Sequence, residues 1–381
     1  MSRFLFVMPP LVGHIVPAAA VAQALTEHGH EVAWSGSEAR LRPWVGPDAT
    51  VYRTGMRLFR GQPDTGMTAI KSLWEGFIVP FARFMLPAVQ EAVEVFRPDV
   101  LVADQQVLAG ALVAKRHGLP WATVTPSTLD LDRPFRQLPK VEAWIRGHLE
   151  TLSAEAGLGA GQAGDLMFSP YLAIIFVHRA LLGGLPFPGH FAFAGPALGT
   201  RPPVPGFPWD RLDPARRQVL ITVGTLADAA APDFYRRAVE ALRPLGDSVQ
   251  GIVVGPPEAM PNVPAQILVQ PRVPMLELMP RLDAVVCHAG TNTVGEALAH
   301  GIPLVVAPLA RDQPITASLV VRAGVGIRVH FHRVRAEALR AAVLAVLSDP
   351  ASRTAAGGIR EAAAAEAAMA AAAARLEKLH A

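Results

Sequence analysis

The sequence predicts an α/β protein built from two parallel-sheet halves, on three observations. Short, continuously apolar runs alternate with helical patterns along the whole chain, and strands of that kind belong to parallel sheets covered by helices on both faces. The alternation breaks once, in a Pro- and Gly-rich stretch near residues 195–217. The length of 381 residues suits about two domains of ~150–200 residues each.

In the first half RFLFVM, EVAWSG, VLVAD and WATVT read as strands; in the second, VLITVG, GIVVG, AVVCHAG, PLVVA and GVGIRVH do. Between them VPAAAVAQALTEHG, VLAGALVAKRHG, TVGEALAHG and ITASLVVRAG read as helices, each closing on a Gly suited to the position after a helix end. The expected organisation is an N-terminal domain over 1–199 and a linker over 200–217, stiffened by Pro202, Pro203, Pro205 and Pro208. A C-terminal domain follows over 218–360, then an Ala-rich helix over 361–381 that is expected to return to the first domain.

Composition narrows the function. With 51% hydrophobic and 18% charged residues the chain is not disordered. Lys+Arg 35 against Asp+Glu 32 leaves a net charge of +3, too little for a nucleic-acid-binding stripe. The single cysteine, Cys287, excludes an intramolecular disulfide and a multi-cysteine zinc site, and suits a reducing cytosol. No apolar run approaches the roughly 18 residues of a membrane span, and the N-terminus reads as a strand, not a signal peptide. A cytoplasmic protein is expected.

Three constellations carry chemistry. In PPLVGHIVP the turn after the first strand holds Gly13, His14 and Pro17. In a doubly wound sheet that turn opens into the ligand crevice. His14 at a helix N-terminus is kept neutral by the helix dipole, which suits a general base; a hydrogen-bonded loop histidine is the plainer alternative. Asp104 ends the strand VLVAD on the same rim. It reads either as an N-cap or as the carboxylate that orients His14.

The third, AVVCHAGTNTVGEALAHGIPLVVAPLARDQP, turns from strand to helix through small residues. Its exposed backbone N–H groups and helix dipole suit a phosphate. His288, Thr291 and Thr293 add side-chain donors, Glu296 a carboxylate for ribose hydroxyls, and Asp312 with Gln313 a pair suited to vicinal sugar hydroxyls. Gly224 and Thr225 form another backbone-donor turn.

Other patterns carry less. Gly159-Ala160-Gly161-Gln162-Ala163-Gly164 spells GxGxxG but follows a helix, so a dinucleotide does not fit it. Asp130-Leu131-Asp132 has no partner cluster for a metal, and His330 and His332 read as exposed on one strand face. Cys287 reads as packing.

The chain resembles the family-one inverting nucleotide-sugar glycosyltransferases of the GT-B fold, and among them the bacterial natural-product enzymes. His288 to Gln313 matches their HxGxxTxxEAxxxGxPxxxxPxxxDQ pattern, GHIVP their first-loop motif, and LVAD the strand that holds their dyad aspartate. The resemblance spans the whole chain and implies two Rossmann-like domains facing each other across a cleft. It makes His14 the base that deprotonates the acceptor and Asp104 its partner. It assigns the diphosphate to His288, Gly290, Thr291, Asn292 and Thr293, with Gly224 and Thr225 on the phosphate from the other side, the ribose to Glu296, and the donor sugar to Asp312 and Gln313; Gly13, where the backbone can approach closely, is counted with the donor-binding residues. The base falls to Arg272 and Val273.

The loop PRVPM departs from the family's frequent Trp-x-Pro-Gln; Arg272 replaces a stacking aromatic, and the Val-Pro-Met form is closer to dTDP-deoxysugar enzymes than to UDP-sugar ones. The implied co-substrate is a dTDP- or UDP-sugar, with no metal and no other cofactor. Phe59, Trp74, Phe77 and Phe81 suggest a hydrophobic small-molecule acceptor, or else helix core. The rival readings are another GT-B activity such as a nucleotide-sugar epimerase, or a non-catalytic nucleotide-sugar-binding accessory protein. No nucleic-acid partner is expected, and a homodimer is one option for assembly.

Overall fold

The structure, a computed structural model, describes residues 1–55, 66–131, 135, 138–159, 161, 163–199, 201–224, 231–260, 262–365 and 369–380. By contact the chain divides into two compact units. One consists of Met1–Val177, Leu185–Gly199 and Glu366–Ala381, the other of His178–Gly184 and Thr200–Ala365.

The first unit holds β1 (Arg3–Val7), β2 (Glu31–Gly36), β3 (Thr50–Arg53), β4 (Val100–Asp104), β5 (Trp121–Thr125), β6 (Leu172–Ile175) and β7 (Phe191–Phe193). All pair in parallel in the order β3-β2-β1-β4-β5-β6-β7. Alternate residues of β1 enter opposite layers: Leu5 and Val7 join one core cluster, Phe4 and Phe6 the other. This two-residue period, apolar on both faces, is why the strand reads as unbroken hydrophobic sequence.

The second unit holds β8 (Arg217–Thr222), β9 (Val249–Val254), β10 (Ile267–Gln270), β11 (Ala284–Cys287), β12 (Leu304–Val306) and β13 (Gly326–Arg328). Its parallel order is β10-β9-β8-β11-β12-β13. Each sheet therefore reverses its winding once, between β1 and β4 and between β8 and β11. A ligand crevice forms at the carboxyl ends of such strand pairs. Every sequence-derived strand has its counterpart here; the short β3, β6, β7 and β10 were not read in advance.

The stretch expected as a stiff linker falls within the second unit. Residues 201–217 are tied into the second unit: the Gln250 side chain accepts from the Asp213 N–H (2.7 Å) and donates to the Arg211 carbonyl (2.8 Å). The Arg281 guanidinium lies 4.9 Å from the centre of the Trp209 ring. An aromatic ring and a buried amide fix this strap in place.

The helix Met369–Glu377 packs on the helix Val12–Glu27 of the first unit. Ala372, Ala373 and Leu376 enter the same core cluster as Ile15 and Leu25. At its end Glu377 meets Nδ1 of His28 at 2.7 Å and Nε2 of His30 at 3.2 Å.

The proposed acceptor residues also need correcting. Trp74 and Phe77 lie in a π-helical turn, Trp74–Ile78, and Phe81 follows in the helix Val79–Phe96. All three are buried in the main core cluster, Phe81 stacked on Phe77 at 5.1 Å between ring centres. Burying rings of this size is worth more inside than on an open wall. Phe84, on the same helix, stays exposed. Phe59 lies outside the described residues.

Candidate functional site

At the first switch point the helix Val12–Glu27 begins directly after β1. Its start at Val12 puts His14 in the opening turn and Pro17 beyond it, inside the helix. Asp104 closes β4, and Val7 pairs with Ala103 across the ladder. These two strand ends bring the residues together: Nδ1 of His14 lies 2.8 Å from Oδ2 of Asp104. The aspartate side chain is fully buried while the imidazole keeps 14% of its surface exposed.

A carboxylate only accepts, so Nδ1 carries the proton and Nε2 is left as the basic nitrogen. Oδ1 of Asp104 accepts from the Gln106 N–H at 2.9 Å. Asp104 is thus both a local turn former and the orienter of His14.

Sequence reasoning missed the buried amide next door. Gln105 accepts from the Thr125 hydroxyl at 2.7 Å and donates to Asp130 at 3.1 Å. It thereby joins the carboxyl ends of β4 and β5. Gln-Gln after a strand offers no local signal for this. Asp132 lies outside the described residues, and among the described residues no group of three or more His, Cys, Asp or Glu could hold a metal.

The second switch point is built by backbone. Cys287 pairs with Thr222, so the turns after β8 and β11 run side by side. His288 sits between two glycines: a Cβ on Gly224 would lie 2.5 Å from its Cε1, and one on Gly290 2.6 Å from its Nε2. Gly224 adopts φ +74°, where a side chain is strained as well as crowded. Ala289 takes φ 65° to swing the chain into the helix Thr291–Ala299.

The N-cap residue of that helix is Gly290, which has no side chain to cap it, and the first helical bond runs from the Val294 N–H to the Gly290 carbonyl. Thr291, Asn292 and Thr293 precede it and make the first turn, whose N–H groups point out along the helix axis. With the dipole they form an anion-binding end. Burial pushes the His288 imidazole down to about 4, against the pull of Asp312, so it is neutral at pH 7. Its Nδ1 is buried with no hydrogen-bond partner among the described residues. Thr225 lies outside the described residues.

Other predicted residues are partly committed. The Thr291 hydroxyl donates to Oδ2 of Asp312 at 3.1 Å. Oε1 of Gln313 accepts from the N–H groups of Leu309 and Ala310, at 2.8 and 3.0 Å, leaving its amide as the donor. After β10, Arg272 is exposed and Val273 buried. His330 and His332 are exposed and lie in a turn beyond β13, not in a strand. The Cys287 thiol is buried and pushed up to about 12, which fits packing.

Two residues went unread. Arg201 donates to Oε1 of Glu296 in the middle of the motif helix. His178, itself buried, donates its Nε2–H to the Gly295 carbonyl at 2.9 Å. Both lie far from the motif in sequence, so no spacing rule finds them.

Comparison with known proteins agrees with this architecture. Residues 247–379 match the family described as Erythromycin biosynthesis protein CIII-like, C-terminal domain. The 4'-demethylrebeccamycin synthase of Lentzea aerocolonigenes is 30% identical over 94% of this chain and 95% of its own length. The NDP-glycosyltransferase YjiC of Bacillus subtilis (strain 168) is 28% identical over 89% of this chain and 88% of its own. Among solved structures, the glycotransferase of kitacinnamycin superposes with a TM-score of 0.82 at 25% identity, covering 99% of both chains. The chain belongs to the family of these proteins, the natural-product NDP-glycosyltransferases of the GT-B fold.

Proposed function

We propose that this glycosyltransferase moves a sugar, with inversion, from a dTDP- or UDP-sugar to an apolar natural-product acceptor, with His14 as general base. The observation that carries the reading is the 2.8 Å contact between His14 and the buried Asp104, which leaves Nε2 as the proton acceptor. Nε2 takes the acceptor hydroxyl proton while that oxygen attacks the anomeric carbon from the face opposite the diphosphate. The bond from that carbon to the diphosphate oxygen breaks, its electron pair stays on the diphosphate, and Asp104 balances the imidazolium.

The departing nucleoside diphosphate gains charge. The N-terminal turn of the helix at 291–293, the close backbone approach at Gly224 and Gly290, and the neutral His288 are the groups that support holding it. Glu296 and Gln313 suit the ribose and the donor sugar. Arg272 and Val273 suit the base, and the Val-Pro-Met loop favours thymine. No metal is required in this reading, so transfer is expected to persist in EDTA.

The test is His14→Ala with a dTDP-sugar and a UDP-sugar against an aglycone panel. Transfer is expected to fall by about 10²–10⁴-fold, with nucleotide affinity retained and the anomeric configuration of the wild-type product inverted by NMR. Unchanged turnover, or a retained configuration, overturns it.

A further inference from the structure

Glu296 is the acidic group of the motif helix, and its side chain is only 3% exposed. A carboxylate in that setting is costly unless an opposite charge meets it. The strap at 201–217 supplies one, since Arg201 donates to Oε1. One residue away on the same helix, His178 holds the Gly295 carbonyl. Two segments distant in sequence thus grip two successive residues, 295 and 296, of the helix whose first turn forms the anion site.

We propose that Arg201 is a positioning residue for the nucleotide donor: it holds the Glu296 carboxylate ionised and oriented, so that its second oxygen accepts from a ribose hydroxyl. This rests on the reading of the second unit as the nucleotide-sugar site. Without the guanidinium, a buried Glu296 takes up a proton and becomes a hydrogen-bond donor. It then no longer recognises a hydroxyl as an acceptor does.

The surroundings isolate the pair. Burial pushes the Glu296 carboxyl above the ordinary carboxylate range, and Arg201 opposes that push both by charge and by hydrogen bond. The other groups on the helix act elsewhere. His178 meets a backbone carbonyl, His288 precedes the helix, and Arg360, on the packed helix Pro350–Ala365, lies beside Gly301 beyond the helix's far end. Arg201 is the one charged group acting on Glu296 among the described residues.

The experiment is calorimetric titration of the full chain, from pH 6 to 9, with UDP and thymidine diphosphate, each beside an analogue lacking its ribose hydroxyls. Comparing parent with analogue cancels the ionisation of the diphosphate itself. The wild type is expected to discriminate by about tenfold, the usual scale for one lost charged hydrogen bond. In Arg201→Met that discrimination falls to within about twofold at pH 7 and returns at higher pH, its midpoint moved up by about one unit or more. Arg201→Gln, which keeps a donor but no charge, shifts the same way, while Arg201→Lys restores the wild-type profile.

A folded Arg201→Met or Arg201→Gln with wild-type discrimination and profile overturns the proposal alone. Failure of the wild type to bind either nucleotide overturns the donor-site reading, and the proposal with it.

Discussion

Oδ2 of the buried Asp104 lies 2.8 Å from Nδ1 of His14, and the carboxylate's other oxygen is held by the Gln106 N–H. Both oxygens are occupied, so the aspartate cannot rotate, and the imidazole it faces is fixed in tautomer and direction. Asp104→Asn can present its amide nitrogen to Nδ1 and invert the tautomer. Turnover is expected to drop by about 10²–10⁴-fold with nucleotide affinity unchanged. Steady-state kinetics with calorimetric binding checks this.

His288 has no room to spare. Gly224→Ala sets a methyl 2.5 Å from its Cε1 at a backbone angle of +74°, a strain of about 1–3 kcal/mol. The variant is expected to bind thymidine diphosphate or UDP about tenfold more weakly while circular dichroism shows an intact fold. Gly290→Ala, which crowds the same ring at a negative φ, should weaken binding without the backbone strain.

The same histidine makes stability depend on pH. Its ordinary value of 6.5 is pushed down to about 4 by burial. Between those values the unfolded chain binds the proton and the folded chain does not, so folding weakens as pH falls through the window. Urea midpoints measured from pH 7 to pH 4 should decline more steeply for the wild type than for His288→Gln.

Phe81 is 1% exposed and stacked on Phe77. Phe81→Ala is expected to cost about 3–5 kcal/mol of stability. A rise in acceptor KM with no loss of stability would restore Phe81 to the acceptor wall.

At the chain's end, hydrogen bonding to His28 first, and to His30, holds Glu377 below the usual carboxylate range. The stabilisation it lends is present at neutral pH and disappears as pH falls through that depressed value. Glu377→Gln should speed amide exchange in the helix Met369–Glu377 by about two- to fivefold.

Much of this was legible from the sequence, because the signals were local. Strands buried on both faces read as apolar runs, and β1, β4, β8 and β11 each lead into candidate site residues. The third motif gathers its residues from His288 to Gln313 within two strand-to-helix turns, so its spacing can be read directly. What escaped depends on distant pairing. Arg201 and His178 meet the motif helix from positions 95 and 117 residues away. Gln105 reaches Asp130 only once β4 and β5 lie side by side. The aromatic run at 74–84 misled because burial and binding favour the same residue types, and only packing separates them.

The first unit contains the last helix of the chain as well as the first. Its Phe4–Ile15–Leu25 layer stays open to water until Ala372, Ala373 and Leu376 have been synthesised and have docked. On the ribosome, then, the domain that starts first cannot finish first, and the second unit can close while its neighbour still waits. A nonsense mutation in the final Ala-rich segment would therefore damage the unit that holds His14, some 350 residues upstream, and leave the second unit with its own core complete.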